Sequence, residues 1–268
     1  MLTGQNILCF APDPWHGMWR NRQQIMSRLA RTNRVLYVEP KRYTLSGLRR
    51  GEVGWSDVRR PRLTAVMDNL WLYHHPVYGL TSGRQAVDRL GRWLRIASLR
   101  RTMRQLGMER PILWLVHPTT VEVVGHLDEA LVCYHVVDEY AAYSFLEPAR
   151  RQQMAAAEQT LLSLADVVMV VSPALLAAKS RHHSNVHLVR NGVDFDAFVR
   201  ATHMSVPSDI AALPRPRIGY VGAINAKLDF ALLRYVAEAF PACSLVLVGP
   251  IDRHSDANVL QGAGLDNV

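Results

Sequence analysis

The stretch NILCFAPDPWHGMWRNRQQIMSRLARTNRVLYVE (residues 6–39) decides the fold class of this chain. It opens with an apolar run of strand length, NILCFA (6–11), passes through an amphipathic helical pattern, and closes on a second apolar run, RVLYVE (34–39). Strands that are apolar throughout, rather than at every second position, are typical of parallel sheets that helices cover on both faces. The stretch therefore predicts the first strand, helix and second strand of an α/β domain.

The same alternation continues to about residue 190. Helical patterns at 84–106, at 148–164 and from Pro173 separate further apolar runs at 69–75, 112–117, 131–137, 167–172 and 186–190. This order predicts a doubly wound sheet of parallel strands flanked by helices, in a domain that covers residues 1–194.

A Pro-rich segment and a second strand–helix–strand pattern follow. Residues 195–216 show no clear period and are interpreted as a linker. RIGYVG (217–222), FALLRYVAEAF (230–240) and SLVLVG (244–249) then begin a second Rossmann-like domain. A nucleotide-binding half of this fold usually contains about five or six strands. The domain at 217–268 is therefore expected to be incomplete, and the chain truncated.

The composition, with 49% hydrophobic and 20% charged residues, is that of an ordinary soluble globular protein. The longest uncharged apolar run, at 167–178, is too short to cross a bilayer, and the amino terminus does not resemble a signal peptide. The three cysteines lie in separate strand-like runs, which argues against a disulfide framework or a zinc site. The tandem pairs His74–His75 and His182–His183 are expected to be exposed. These features predict a cytoplasmic protein without a bound metal.

The net charge of +8 is unevenly distributed along the chain. Residues 1–110 contain 20 Lys and Arg against 7 Asp and Glu, whereas residues 111–268 contain 11 against 16. Such asymmetry predicts that the first half faces an anionic partner.

The helical pattern at 84–106 is both basic and amphipathic. One face carries the apolar side chains of Leu90, Trp93, Leu94 and Ala97, and many arginines lie elsewhere. A basic amphipathic helix can lie on an anionic membrane surface. A helix that faces the core and has solvated arginines is the alternative.

Lys227 stands out because the chain contains three lysines against 28 arginines. It follows Gly222, which ends a strand-like run, and precedes Asp229, which is placed to cap the next helix. Ligands of open α/β sheets bind at the carboxyl ends of the strands, where a glycine lets the backbone approach a phosphate. A phosphate site is one interpretation of this loop. An ordinary glycine turn with a solvated lysine is the other, because neither a P-loop nor a G-x-G-x-x-G motif is present.

Several motifs taken together resemble the GT-B glycosyltransferases, in particular the family 4 and family 1-like enzymes of polysaccharide and cell-envelope assembly. In chain order they are PDPWHGMWRNRQQIMSRLARTNRVLYVEP, CYHVVDEY, LADVVMVVSPAL, VRNGVDFDAF, PRIGYVGAINAKLDFALL and SLVLVGP. The resemblance covers nearly the whole chain, and RNGVD and IGYVGAI…K are its most specific pieces. It implies two Rossmann-like domains that hold a nucleotide-sugar between them as co-substrate, with no cofactor, no metal and retention of anomeric configuration.

The resemblance also implies where the donor is bound. The donor-binding candidates are Asn191, Gly222, Ala223, Asn225, Lys227, Gly249 and Pro250. The Lys227 ammonium, with the backbone from Gly222 to Asn225, would hold the diphosphate as it becomes the leaving group. Because charge develops there in the transition state, a fixed cation would lower the barrier more than it strengthens donor binding.

Asp138 and His117 are the candidates for the catalytic centre, since both follow apolar strands and should lie on the ligand side of the sheet. Either could orient an acceptor hydroxyl or stabilise the reacting sugar. A helix cap formed by Asp138 and a backbone hydrogen bond formed by His117 are the structural alternatives.

The loop after the first strand supplies the acceptor-binding candidates, Trp15, His16, Trp19 and Arg20. Aromatic rings stack on sugar faces, and arginine pairs with phosphate. Both tryptophans could instead serve packing. Acceptor contact is favoured because Asp13, Pro14 and Gly17 indicate a loop rather than core.

The chain departs from the family pattern in one respect. The Glu-x7-Glu motif expected downstream in the donor domain is absent, and Glu139 and Glu147, which have this spacing, lie in the first domain by chance. The predicted function is transfer of a sugar from a nucleotide-diphosphate-sugar to a glycan or lipid-linked acceptor, in the cytoplasm or at the inner face of the plasma membrane. A truncated non-catalytic GT-B-like binding module and a nucleotide-sugar 2-epimerase are the alternatives. Nucleic acid is not expected as a partner, because nucleic-acid binding would explain none of the motifs.

Overall fold

The computed structural model describes residues 2–40, 43–51, 54, 58, 60, 62–79, 81–143, 146–252, 260 and 264–268. Contacts between residues divide the chain into two compact units, Met1–Gly192 and Val193–Val268.

The first unit is built on one eight-stranded sheet. Its strands are β1 (Asn6–Phe10), β2 (Arg34–Val38), β3 (Leu63–Met67), β4 (Leu70–Tyr73), β5 (Ile112–Leu115), β6 (Leu131–Val136), β7 (Val167–Val170) and β8 (Val186–Leu188). They lie in the order β3-β4-β2-β1-β5-β6-β7-β8, and all neighbours are parallel except the β3–β4 hairpin. The predicted parallel α/β architecture is confirmed. The edge strand β3 was not predicted from the sequence.

Helices accompany the sheet. They are α1 (Asn21–Leu29), α2 (Leu45–Arg49), α3 (Gln85–Gln105), α4 (Pro148–Leu164) and α5 (Pro173–Lys179), with 3-10 turns at Pro118–Val123 and Tyr140–Ala142. The helices other than α2 lie in the positions that the sequence predicts. At the start of α5 the hydroxyl of Ser172 accepts the N–H of Leu175, and Pro173 occupies the first turn, where it loses no helical hydrogen bond.

The apolar strands bury both faces of the sheet, as their composition requires. In β1, Leu8 and Phe10 join one buried cluster, whereas Ile7 and Cys9 join the cluster on the opposite face. Successive residues of a strand point to opposite faces, so an alternating pattern would have left one of these faces polar.

The strand order places a topological switch point at β1. Its two neighbours are β2 and β5, and the chain leaves β1 in one direction across the sheet and later continues in the other. In open α/β sheets the crevice outside the carboxyl ends of such strands is the usual ligand site.

The second unit contains α6 (Phe195–Ala201), α7 (Ser208–Ala211), β9 (Arg217–Val221), α8 (Phe230–Ala239) and β10 (Ser244–Val248). Strands β9 and β10 pair in parallel, and Asp229 caps α8 by accepting the N–H of Leu232 at 2.9 Å, as predicted. The segment interpreted as a linker holds the short helices α6 and α7. Helices of one or two turns contain too few residues to show a period, and Phe195 and Phe198 of α6 are exposed.

Among the described residues, every helix is too short or too polar to span a membrane.

Candidate functional site

The predicted catalytic residues lie together at the carboxyl edge of the first sheet. His117 follows β5, and Asp138 follows β6 at the start of a loop that also carries Tyr140 and Tyr143. The ring centroids of His117 and Tyr140 are 4.6 Å apart, and those of Tyr140 and Tyr143 are 5.9 Å apart. These half-buried rings and the Asp138 carboxylate lie next to one another at the ligand edge of the sheet.

His117 combines a structural and a chemical role. Its Nδ1 accepts the N–H of Thr119 at 3.3 Å, so the ring caps the following 3-10 turn and its proton is left on Nε2. Burial lowers the pKa of His117, and the positive charges of Arg150 and Arg22 lower it further. The imidazole is therefore neutral at pH 7, with Nε2–H as a hydrogen-bond donor.

Asp138 accepts hydrogen bonds through both carboxylate oxygens. One oxygen accepts the N–H of Glu139 at 3.1 Å, and the other accepts the hydroxyl of Tyr143. Burial, and then this hydrogen bond, raise the pKa of Tyr143. Asp138 is not the N-cap of either following helical segment, since those positions are Glu139 and Glu147. The helix-cap alternative is therefore wrong, and the carboxylate instead orders the Tyr143 loop.

The loop after β1 places one of the acceptor-binding candidates in the core and the others at the surface. Trp15 is only 2% exposed, and its ring packs edge-to-face on Tyr37 and Trp19, with centroids 5.1 and 5.4 Å away. The segment is a loop, as expected, but the side chain of Trp15 lies in the core, because Glu39 accepts its backbone N–H and draws the loop inward. Trp19 is 48% exposed, and His16 and Arg20 are also exposed.

Arg22 is a functional candidate that the sequence reasoning missed. It lies in the first turn of α1 with a side chain only 5% exposed, and it forms an ion pair with Asp13. Arg20 approaches the same carboxylate, with Nε 3.5 Å from Oδ2. No feature of the sequence marked Arg22, because its place on the buried face of α1, with Gln23 and Met26, is set by the fold.

A buried ionic network lies beside Asp138. The ammonium of Lys179 is 2.9 Å from carboxylate oxygens of both Glu139 and Glu158, and the hydroxyl of Tyr134 donates to Glu158 at 2.9 Å. Lys179 and Glu158 are 5% and 6% exposed. Glu139 lies between Asp138 and Tyr140 in the chain. Its ion pair with Lys179 therefore also holds the backbone of these two neighbours in place.

A second buried carboxylate lies at the ends of β2 and β4. Glu39 Oε2 is 2.9 Å from Nδ1 of His74, and Arg60 approaches the same oxygen at 3.4 Å. His74 is buried, so the expectation that the His74–His75 pair is exposed is wrong for this residue. Adjacent parallel strands end at one edge, which brings these two residues together. The expected exposure fits the pair His182–His183 better, since His182 is exposed and His183 is half-buried.

The donor-binding candidates of the second unit lie in two loops that run side by side. The N–H of Gly222 donates to Val248 O at 3.0 Å, and that of Ile224 donates to Pro250 O at 2.9 Å. The backbones of Gly222 and Gly249 touch so closely that an ideal Cβ on Gly249 would lie 1.8 Å from the Gly222 oxygen. The structure thus brings Gly222, Ala223, Asn225, Gly249 and Pro250 to one edge of the β9–β10 sheet.

Lys227 lies at the end of the first of these loops. Its backbone N–H donates to the side chain of Asn225 at 3.0 Å, and its side chain is exposed. Asn191, the remaining donor candidate, belongs to the first unit, where its side chain accepts a hydrogen bond from Asn21 at 3.1 Å.

Helix α3 contacts the core through a face other than the apolar face of Leu90, Trp93, Leu94 and Ala97, so the core-facing alternative does not hold for that face. Its buried residues are Gly91, Arg95, Leu99, Thr102 and Met103. Leu90 and Trp93 are 58% and 64% exposed, and Ala97 is exposed as well. The helix therefore contacts the core and also presents an apolar stripe to the outside, beside the exposed arginines Arg89, Arg100, Arg101 and Arg104.

Within the described ranges, no cluster of three or more His, Cys, Asp or Glu side chains could hold a metal ion.

No protein-family model matches the chain. A curated relative, TuaH of Bacillus subtilis (strain 168), is 25% identical in a 169-residue alignment that covers 60% of this chain and 43% of TuaH. TuaH is provisionally described as a glycosyltransferase of teichuronic acid biosynthesis. The chain spans less than half the length of this relative.

Solved structures resemble the chain over nearly its full length. Sucrose-phosphate synthase from Thermosynechococcus elongatus matches with a TM-score of 0.67 and 16% identity, over 98% of this chain and 68% of that one. The trehalose-6-phosphate protein of Escherichia coli, bound with UDP-2-fluoro glucose, matches with a TM-score of 0.57 and 10% identity, over 93% and 65%. The predicted GT-B fold, with Rossmann-like parallel sheets, is confirmed.

Proposed function

We propose that the protein is a glycosyltransferase that takes a sugar from a nucleotide-diphosphate donor and passes it to a glycan or lipid-linked acceptor. The observation that carries this proposal is the pair of touching glycine loops after β9 and β10, with Lys227 at their end. Glycines at the carboxyl ends of parallel strands let the backbone approach phosphate oxygens closely. The fold, shared with a protein bound to UDP-2-fluoro glucose, supports the same conclusion.

The proposed chemistry exchanges one bond at the anomeric carbon. The bond from this carbon to the β-phosphate oxygen breaks, and a bond to the acceptor oxygen forms on the same face of the sugar. The acceptor proton passes to the departing diphosphate, so neither a metal nor a separate base is required. Lys227 stabilises the negative charge that develops on the leaving group.

The first unit supplies the groups for the acceptor sugar. Neutral His117 donates a hydrogen bond from Nε2 to a sugar hydroxyl, and the Asp138 carboxylate accepts one. The rings of Tyr140, Tyr143 and Trp19 offer apolar faces against which sugar rings pack.

Donor binding is testable without an acceptor. Thermal unfolding of the full chain in the presence of UDP-, GDP- and ADP-sugars should show stabilisation by one nucleotide class, because a ligand that binds only the folded state raises the melting temperature. Lys227→Ala should weaken this binding about tenfold, since a charge-assisted contact to phosphate is lost. Arg234→Ala, on the exposed side of α8, is the matched control and should bind as the native chain does. Unchanged donor binding in Lys227→Ala would refute the role given to this lysine.

We further propose that α3 docks the protein on an anionic membrane surface. Leu90 and Trp93 provide apolar contacts for the interfacial region, and the exposed arginines beside them attract anionic headgroups. This surface fits an acceptor that is anchored in the membrane through a lipid.

The docking proposal predicts co-flotation with vesicles of phosphatidylglycerol and phosphatidylcholine at low salt, and weak or no binding to phosphatidylcholine alone. Trp93→Ser should lower the partition coefficient about tenfold, because burial of a large aromatic side chain contributes about 1.5 kcal/mol or more. Leu164→Ser, at an exposed leucine outside α3, is the control. Absence of binding to the anionic vesicles, or equal binding by Trp93→Ser, would count against this surface.

A further inference from the structure

Arg22 is a buried cation with hydrogen-bonding capacity to spare. Its side chain is 5% exposed, and Nη1 forms an ion pair with Asp13. The guanidinium Nε is buried and has no hydrogen-bond partner among the described residues. A guanidinium carries five N–H donors, and a buried one is usually satisfied by several acceptors. Asp13 satisfies only part of this capacity.

The positive charge around Arg22 exceeds the negative charge that faces it. Arg20 and Arg22 share the single carboxylate of Asp13. Both lie at the start of α1, whose first turn contains no acidic side chain, so the positive end of the helix dipole adds to the two guanidinium groups.

The other carboxylates of the crevice are already engaged. Asp138 accepts from Tyr143 and from the backbone, and Glu139 forms an ion pair with Lys179. The field of Arg22 nevertheless reaches His117 and Tyr140, since it lowers the pKa of His117 and opposes the burial that raises the pKa of Tyr140. The charge of Arg22 therefore acts on residues that are proposed to hold the sugars.

We infer that Arg22 and Arg20 form a subsite for an anionic group on the acceptor sugar, a phosphate ester or a carboxylate. Asp13 fixes the Arg22 guanidinium in place, and the anion binds the half-exposed Arg20 guanidinium in the field of Arg22, as arginine contacts to carboxylate and phosphate do. The neighbouring rings and His117 hold the sugar itself. The existence of the anion site stands on the geometry of the first unit, whereas its assignment to the acceptor rests on the proposed function.

The subsite can be probed with inorganic phosphate, whose ³¹P NMR line broadens on weak binding. The measurement is made in the Lys227→Ala background, so that the proposed phosphate contact of the second unit is removed. The broadening should fall at least about fivefold in Arg20→Gln and partly in Arg22→Gln. Arg28→Gln, on the exposed side of the same helix, should leave it unchanged. The Arg20 side chain is half exposed, so its replacement tests the subsite even if Arg22→Gln fails to fold.

Competition identifies the ligand that the subsite serves. Glucose 6-phosphate or glucuronate should remove the arginine-dependent broadening at concentrations about tenfold lower than glucose, and the better competitor shows whether the group is a phosphate or a carboxylate. Phosphate broadening that does not depend on Arg20 or Arg22 would remove the subsite. Displacement by UDP but not by either sugar anion would assign the arginines to the donor and overturn the inference. Loss of nucleotide-sugar binding alone would refute the proposed function and leave the anion site standing.

Discussion

Replacement of Lys179 by methionine is expected to lower the free energy of unfolding by about 3–5 kcal/mol. The side chain is almost fully buried, and its ammonium is 2.9 Å from both Glu139 and Glu158. Removal of one partner leaves two carboxylates close together without a cation, which costs more than the net contribution of the pairs. Urea denaturation monitored by circular dichroism measures the change.

A triple variant is the control for the expected loss of stability. A chain with Lys179→Met, Glu139→Gln and Glu158→Gln together should recover much of the stability, because no uncompensated charge is then buried. Arg151→Met, at an exposed position of α4, should change the stability by less than about 0.5 kcal/mol. A triple variant no more stable than Lys179→Met would show that packing of the lysine stem, rather than charge, is responsible.

The network also predicts that the stability of the fold depends on pH in the alkaline range. Burial alone would lower the pKa of Lys179, but hydrogen bonds to and attraction by Glu158 and Glu139 raise it above its ordinary value of 10.5. The folded state therefore holds this proton more tightly than the unfolded state. The corresponding stability is complete below pH 10.5 and is lost as the pH rises through the raised pKa of the folded protein. The Lys179→Met chain should lack this alkaline loss.

Replacement of Gly249 by alanine should have a comparably large effect, confined to the second unit. Gly249 has φ of 154°, in a region that favours glycine, and an added Cβ would lie 1.8 Å from Gly222 O and 2.8 Å from Gly222 C. Backbone atoms cannot move aside as a flexible side chain can. The expected cost is about 2–5 kcal/mol, from backbone strain and overpacking together.

This change should also abolish the stabilisation by nucleotide-sugars, because the two loops can no longer run side by side. Gly219→Ala is the matched control, since its added Cβ meets nothing within 4 Å. Thermal unfolding with and without the nucleotide-sugar measures both effects. Normal donor binding by Gly249→Ala would show that the contact of the loops is dispensable.

The candidate site was partly predictable. The ends of the apolar runs in the sequence were enough to predict that Asp138, His117 and the loops at Gly222 and Gly249 lie at the ligand side of a sheet. Residues on that side of a parallel sheet follow directly after its strands. Burial within the site was not predictable. Trp15 follows Asp13 and Pro14 in a segment with the composition of a loop, and its place in the core depends on Tyr37 and on the carboxylate of Glu39, 24 residues away.

The sequence by itself determined the architecture, because continuous apolar runs alternating with amphipathic helices have few solutions other than a parallel sheet covered on both faces. It also determined local features such as the Asp229 cap, which involves residues three positions apart. Only the tertiary structure decided that Arg22 and Lys179 are buried, with Asp13 nine residues and Glu139 forty residues away as partners. A charged residue on a helix is equally compatible with water until a distant carboxylate is brought to it, and only the completed fold supplies that carboxylate.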